Sequence, residues 1–226
     1  MPSKILFVFT SCNKTLTGAP TGWYLPEAAH PYYVLSPAHH IDFASPAGAN
    51  PPIDESSVQA FKDDTKSTKF LTDETVKAKF ASAKKLSEVN VDDYDAIFYV
   101  GGHGPVIDLA SDETNAKLAS QFFRAGKITS AVCHGPAALA GATDASGKSI
   151  FDRKAFTGFS NVEEEQAGKV KDVPFLLEDK LTTLGGKYEK ADKPWGPHVV
   201  VSGNLYTGQN PASAKPLAEA ILKALA

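Results

Sequence analysis

The sequence lacks the long hydrophobic runs of a membrane protein and the excess of basic residues typical of a nucleic-acid-binding protein. No apolar run approaches the roughly 18 residues of a membrane-spanning helix, and the run at residues 5–9 is shorter than the apolar part of a signal peptide. The formal net charge is −3, from 23 Lys and Arg against 26 Asp and Glu. We therefore expect no nucleic-acid or membrane partner, and a small molecule as the ligand.

Cysteine is also scarce, because Cys12 and Cys133 are the only two in 226 residues. Two cysteines cannot form the disulfide framework of a small secreted protein, and free thiols persist in reducing compartments. We expect a cytoplasmic protein, with the nucleus as the alternative. A chain of this length with 42% hydrophobic residues can bury one sizeable core. We therefore predict a single domain, 1–226, with a small helical insertion or cap at about 62–90.

Short apolar runs without polar alternation predict strands that are covered on both faces. Helical stretches separate these runs, which is typical of a doubly wound α/β fold with a mostly parallel sheet. A turn at Ser202-Gly203-Asn204 predicts a C-terminal β-hairpin before a last helix at about 213–225. The predicted central strands are residues 5–9, 41–44, 96–100 and 128–132.

Polar or glycine-rich loops follow three of these strands, at residues 10–13, 101–104 and 133–135. In open α/β sheets, ligands bind beyond the carboxyl ends of the strands. The sequence therefore predicts a site where these three loops converge.

Cys133 ends the fourth strand and precedes His134 and Gly135, as in the strand-turn-helix elbow that exposes a nucleophile. A helix predicted at about 136–141 would point its positive end at the sulfur and lower the pKa of the thiol. The residues alone leave an inert, buried cysteine open as the alternative. Cys12 lacks a helix-opening glycine and is interpreted as a structural or oxidation-prone thiol.

Other candidates have an ordinary interpretation as well as a functional one. The backbone N–H groups of Gly102 and His134 can form an oxyanion hole, or the first can belong to a plain turn. Glu27 follows a proline and fits a charge in the first turn of a helix. The acidic run 163–165 is typical of a solvated helix start, and the pattern does not fix which glutamate turns inward. The histidines lack the spacing of a zinc site, so no metal and no cofactor is predicted.

Six motifs of the chain belong together: A-V-C-H-G-P, G-G-H-G, E-A-x-H-P, T-G-F-S-N-V-E-E-E, P-W-G-P and T-G-Q-N-P-A-S-A. With these motifs, the chain resembles the PfpI-type superfamily, which includes the parkinsonism-associated deglycase. Within it, the chain is most similar to the fungal heat-shock chaperone and glyoxalase III branch, also called D-lactate dehydratase. The resemblance implies a flavodoxin-like, class I glutamine-amidotransferase-like fold over nearly the whole chain. Ala131 departs from the family's G-x-C-x-G elbow.

The resemblance also implies the roles of the site residues. Cys133 matches the nucleophile, His134 its base, and Glu164 the acid that orients the histidine, with Glu163 as the alternative one residue earlier. Glu27 matches a buried glutamate that faces the cysteine. Such a carboxyl group has a raised pKa and stays protonated.

The activity implied by the resemblance is that of a glutathione-independent glyoxalase of the lyase type. It would convert methylglyoxal to D-lactate through a cysteine hemithioacetal, without metal or cofactor. The alternatives are protein or nucleotide deglycation or peptide hydrolysis at the same cysteine, and a holdase chaperone or redox sensor without turnover. A homodimer is expected, with misfolded client proteins as further partners in a stress response. A glutamine amidotransferase is disfavoured, because His198 is the only later histidine and is not followed by Pro-Glu.

Overall fold

A mostly parallel seven-stranded sheet forms the centre of the computed structural model, which describes residues 2–226. The strand order is β3-β2-β1-β4-β5-β9-β8, and only β8 runs antiparallel to its neighbour. A separate two-stranded sheet pairs β6 with β7. The strands are β1 (Lys4–Val8), β2 (His40–Ser45), β3 (Lys84–Lys85), β4 (Ala96–Tyr99), β5 (Ile128–Val132), β6 (Ala155–Phe156), β7 (Lys187–Tyr188), β8 (Val199–Ser202) and β9 (Leu205–Gly208).

Helices cover both faces of this sheet, and side-chain caps fix where several of them begin. The carboxylate of Asp112, for example, accepts the backbone N–H of Asn115 at 2.7 Å at the start of α6. Within residues 2–226, no helix is both long and apolar enough to cross a bilayer. The helices are α1 (Leu25–Leu35), α2 (Glu55–Ala60), α3 (Thr65–Thr72), α4 (Glu74–Ala81), α5 (Gly104–Ile107), α6 (Glu113–Arg124), α7 (Asn161–Gln166), α8 (Leu177–Thr183) and α9 (Ala214–Ala224).

Alternate residues of β1 supply two hydrophobic cores, one on each face of the sheet. Ile5 and Phe7 pack in the core beneath α1 and α9, whereas Leu6 and Val8 pack in the core beneath α6. A strand buried on both faces needs apolar residues throughout, which explains its unbroken hydrophobic run. The predicted doubly wound, flavodoxin-like class is confirmed.

The segment 62–90 extends the sheet edge and does not form a cap over the site. Phe70 of α3 is 0% exposed and meets Trp23 edge-on at 6.1 Å between ring centroids, so this helix contributes to the core. β3 pairs with β2 and lengthens the sheet. No residue of the segment lines the cavity described below.

The predicted C-terminal hairpin and last helix are confirmed, but the helix expected at 136–141 is wrong. The chain instead forms a five-residue 3₁₀ turn, Gly135–Leu139. Its hydrogen bonds span three residues, as in the 3.0 Å bond from the N–H of Ala140 to the carbonyl of Ala137. The small sheet of β6 and β7 was not predicted from the sequence, because strands of two residues show no hydrophobic periodicity.

Candidate active site

Cys133 occupies a strained turn immediately after β5. Its φ of +59° is a left-handed conformation that non-glycine residues rarely adopt. Two positions on, a side chain at Gly135 would lie 2.6 Å from the carbonyl oxygen of Tyr99, so only glycine lets the chain pass. The turn leaves Cys133 only 4% exposed, yet it lines a cavity. The elbow predicted from the sequence is therefore present.

His134 connects the sulfur to a carboxylate. Its Nδ1 lies 3.5 Å from Sγ of Cys133, and its Nε2 lies 2.5 Å from Oε2 of Glu164. Glu164 comes from the first turn of α7, where the Ser160 side chain caps the helix. The ionised carboxylate can only accept, so Nε2 of His134 carries the proton and Nδ1 offers its lone pair to the thiol.

His103 is a site residue that the sequence reasoning missed. Its Nε2 donates to Oε1 of Glu164 at 2.8 Å, and its ring centroid lies 4.2 Å from that of His134. The signal was available, because His103 belongs to a loop at the predicted ligand-binding edge. Gly102 is the one predicted site residue of that loop.

The two histidines keep Glu164 negatively charged. Burial by itself raises the pKa of this carboxyl group, but the charges and hydrogen bonds of His134 and His103 outweigh it and hold the pKa far below its ordinary value. Burial lowers the pKa of His134. Glu164 raises that pKa in part, and His103 lowers it further. The net effect keeps His134 neutral near pH 7, as a proton acceptor must be.

Glu27 is the second carboxyl group at the sulfur. It lies in the first turn of α1 after Pro26, is 0% exposed, and neither of its oxygens makes a hydrogen bond of normal geometry within residues 2–226. The ordinary interpretation is right about the first turn of a helix, but complete burial does not fit an ordinary charged side chain there. Burial raises the pKa of Glu27 well above its ordinary 4.5, while the Cys133 thiol and the Gly101 backbone lower it only in part.

Gly101 provides the space in which Glu27 and Cys133 meet. A Cβ at this position would lie 2.8 Å from Cβ of Cys133 and closer still to Oε2 of Glu27. Any other residue would push the carboxyl group away from the sulfur.

The prediction of a lowered thiol pKa at Cys133 is wrong. Burial raises this pKa well above its ordinary 9.0, and the charge of Glu27 raises it further. The backbone N–H of Gly102 acts in the opposite direction. The expected helix dipole is missing because Gly135–Leu139 is a short 3₁₀ turn.

The acidic run 163–165 does not form a solvated helix start. Glu163 and Glu164 are both buried and point to different neighbours, while Glu165 is exposed. It is Glu164, not Glu163, that reaches the histidines. Cys12 does not line the cavity, and its thiol donates to the carbonyl of Lys14 at 3.1 Å.

The cavity above the sulfur has a volume of about 470 Å³, within the range that holds small-molecule ligands. Cys133, His134, His103 and Glu27 line its inner end, together with Gly102. Aromatic side chains and prolines line part of the remainder, including Tyr24, Phe159, Trp195 and Pro20, and the charged residues Asp54, Glu55 and Lys169 line another part.

Three potential metal ligands also come together, although the sequence predicted no metal site. Ligand atoms of His103, His134 and Glu164 lie within 4.8 Å of one another. Both Nε2 atoms, however, point their protons at the carboxylate oxygens. Metal binding would therefore require both histidines to give up these hydrogen bonds.

Comparisons with known proteins agree with this geometry. The family model described as the DJ-1/PfpI family matches residues 24–224. The glutathione-independent glyoxalase HSP31 of Saccharomyces cerevisiae is 33% identical, over 99% of this chain and 98% of that protein.

Solved structures show the same fold over the same extent. The Rapid Encystment Protein of 24 kDa from Francisella tularensis superimposes with a TM-score of 0.93 at 36% identity, covering 99% of both chains. Glyoxalase III from Candida albicans gives a TM-score of 0.90 at 28% identity, covering 98% of this chain and 97% of the other. The chain belongs to the DJ-1/PfpI family.

Proposed function

We propose that this protein is a glutathione-independent glyoxalase that converts methylglyoxal and water to D-lactate, with Cys133, His134, Glu164 and Glu27 as its catalytic machinery. The observation that carries the proposal is the meeting of a nucleophile, a base and a protonated carboxyl group at the inner end of one cavity. The relatives named glyoxalases support it.

In the first step, Sγ of Cys133 bonds to the aldehyde carbon, and the thiol proton passes to Nδ1 of His134. Transfer to a neutral imidazole suits a thiol whose pKa is raised. The new oxyanion takes the proton of Glu27, while the backbone N–H groups of Gly102 and His134 stabilise its developing charge. The product is a hemithioacetal.

In the second step, the Glu27 carboxylate removes the hydrogen from the former aldehyde carbon, and His134 protonates the neighbouring carbonyl oxygen. The resulting enediol regains a proton from Glu27 at the second carbon and loses its first hydroxyl proton to His134. No electrons leave the substrate, because one carbon is oxidised as its neighbour is reduced. The product is a lactoyl thioester on Cys133.

In the third step, Glu27 takes a proton from water as the oxygen attacks the thioester. The sulfur leaves with the proton held by His134, which restores the thiol, the neutral imidazole and the protonated carboxyl group. Throughout the cycle, Glu164 holds the Nε2 proton of His134 and stabilises each imidazolium.

The test is to incubate the purified protein with methylglyoxal, in EDTA and without glutathione, and to follow D-lactate with a stereospecific dehydrogenase. We expect turnover that Cys133→Ala abolishes. The matched control Cys12→Ala replaces the other cysteine, which lies outside the cavity lining, and should keep full activity.

Two outcomes would contradict the proposal. Wild-type protein that forms no lactate is not a glyoxalase, and turnover that survives Cys133→Ala does not pass through a thioester. Release of free amines from glycated amino acids, without lactate from methylglyoxal, would favour deglycation at the same cysteine instead.

A further inference from the structure

Two consecutive glutamates of α7 face different parts of the protein. Glu164 faces the histidines, whereas Glu163 accepts from the side-chain amides of Gln209 and Asn210 and from the backbone N–H of Trp195. The bond to Trp195 is 2.8 Å long. Glu163 thus joins α7 to the loop that carries Trp195.

Glu163 is a charged carboxylate although it is 0% exposed. Burial by itself would raise its pKa, but hydrogen bonds from Asn210, Ser160 and Gln209 outweigh burial and lower the pKa. None of its hydrogen-bond donors within residues 2–226 is a charged side chain. Burying an anion among neutral donors alone costs folding free energy. We therefore expect Glu163 to serve a purpose at the base of the loop that carries Trp195.

Trp195 is held in an unfavourable backbone conformation. Its φ of +65° lies in the left-handed region that a residue with a Cβ rarely adopts. Three contacts fix it there. Its N–H donates to Glu163, its indole Nε1 donates to Gln166 at 2.7 Å, and Asn210 donates to the carbonyl of Gly196 at 2.8 Å.

The indole of Trp195 is the outer member of a row of rings that leads to the sulfur. It meets Phe159 edge-on at 5.5 Å, and Phe159 lies 4.4 Å from the ring of His134. Trp195 lines the cavity and remains 45% exposed. A half-exposed tryptophan in a strained conformation leaves apolar surface free at the mouth of the site.

The cavity is also much larger than a three-carbon aldehyde requires. Its volume of about 470 Å³ leaves space between the sulfur and Trp195 after methylglyoxal is bound. Asp54, Glu55 and Lys169 form a charged part of the lining, whereas Trp195, its ring neighbour Phe159, and Pro211 form an apolar part. The apolar part matches a flat apolar substituent on the substrate better than a charged one.

We propose that Trp195 is a specificity-determining residue, and that Glu163 is the positioning residue that holds it, so that the site favours 2-oxoaldehydes with an aromatic substituent. This inference rests on the proposed glyoxalase function and adds the substrate class. The substrate's ring would pack against Trp195 while its aldehyde reaches Cys133.

The kinetic test compares phenylglyoxal with methylglyoxal. Trp195→Ala should lower kcat/KM for phenylglyoxal about tenfold, mainly through KM, as expected for the loss of one aromatic contact. The loss of kcat/KM for methylglyoxal should be clearly smaller, because its methyl group makes no ring contact with Trp195, so the ratio of the two values is the readout. Trp195→Phe retains a ring and should restore most of the preference. An equal loss for both aldehydes, or no loss for either, would overturn the proposal.

Glu163→Gln tests the positioning role, with the exposed neighbour Glu165→Gln as the matched control. Glutamine keeps one accepting oxygen but turns its NH2 group toward donors such as those of Ser160 and Gln209, so the Trp195 loop is held less firmly. The phenylglyoxal preference should therefore fall toward that of Trp195→Ala. The readout is the ratio of kcat/KM for phenylglyoxal to that for methylglyoxal, because the charge of Glu163 also acts on Cys133 and His134 and its loss affects both rates. A preference left intact in Glu163→Gln would exclude the positioning role.

A binding measurement keeps this inference separate from the glyoxalase proposal. The chain has two tryptophans, Trp195 and the buried Trp23, so protein labelled with 5-fluorotryptophan should give two fluorine resonances. Mandelate, the product expected from phenylglyoxal, should shift the Trp195 resonance saturably and at about tenfold lower concentration than lactate. The result does not depend on turnover. A Trp195 resonance that responds equally to both acids, or to neither, would refute the specificity role.

Discussion

The thiol of Cys133 and the carboxyl group of Glu27 face each other beside Gly101, and both are almost completely cut off from bulk water. Burial raises the pKa of each group, and a charged Glu27 raises that of the thiol further. Ionising both groups of this pair at once is therefore unfavourable. A carboxyl group that retains its proton at neutral pH is what the proposed hemithioacetal step requires.

Glu27→Gln should make the protein relatively more stable as pH rises. Below the ordinary pKa of 4.5, native and unfolded states both hold the Glu27 proton. At higher pH the unfolded state loses the proton first, so the free energy of unfolding falls by up to about 1.4 kcal/mol per pH unit until native Glu27 ionises. Glutamine removes this loss.

Urea unfolding at several pH values measures the effect, with Glu165→Gln as an exposed control. The stability of Glu27→Gln relative to the wild type should grow with pH, while that of the control should stay constant. A difference that does not change with pH would mean that Glu27 ionises normally in the native state.

The pH profile of kcat/KM for methylglyoxal should be bell-shaped. Activity should rise as His134 loses its proton, below the ordinary 6.5 because burial lowers its pKa. It should fall where Glu27 ionises, above the ordinary 4.5 because burial raises its pKa. Glu27→Gln should retain the acid limb and lose the basic limb, together with most of the activity. A basic limb unchanged in this variant would assign that ionisation to another group.

Glu164→Gln should lower kcat about 10²- to 10⁴-fold while KM changes little, because glutamine no longer selects the His134 tautomer that presents a lone pair to the thiol. Glu165→Gln, one residue away and exposed, is the matched control and should behave as wild type. Steady-state kinetics with methylglyoxal and circular dichroism of both variants separate chemistry from folding. Full activity in Glu164→Gln would remove the carboxylate from the mechanism.

The sequence predicted the fold and the strained turn at Cys133 because their signals are local. The unbroken apolar runs follow from strands buried on both faces, and Cys133 and His134 are neighbours in the chain. The thiol pKa was mispredicted because it depends on burial and on Glu27, which lies more than 100 residues earlier. Both are properties of the folded chain.

The roles of Glu163 and Glu164 differ for a geometrical reason. Consecutive residues on a helix point about 100° apart, so one faces the histidines and the other the Trp195 loop. Family resemblance selected Glu164, whereas residue types alone did not. His103 was missed because its contact with Glu164 joins a loop to a helix 61 residues later in the chain.

His103→Ala should lower kcat/KM for methylglyoxal about tenfold and move the acid limb of the pH profile to higher pH. The electrostatic effect of His103 lowers the pKa of His134, so removing the His103 ring lets His134 bind a proton more readily. His103→Gln retains an N–H that can reach Oε1 of Glu164, and should recover much of the rate but not the position of the acid limb. This split distinguishes a positioning role from a loss of packing.

His30→Gln provides the control for these two variants. His30 also pairs with a carboxylate, Asp64 at 2.9 Å, but it does not line the cavity. Its replacement should leave both the rate and the acid limb unchanged. If His103→Ala kept the wild-type acid limb, the bond from His103 to Glu164 would have no influence on His134. Any loss of rate in that variant would then come only from the changed shape of the cavity. The hydrogen-bonded unit at the sulfur would consist of Cys133, His134 and Glu164 without His103.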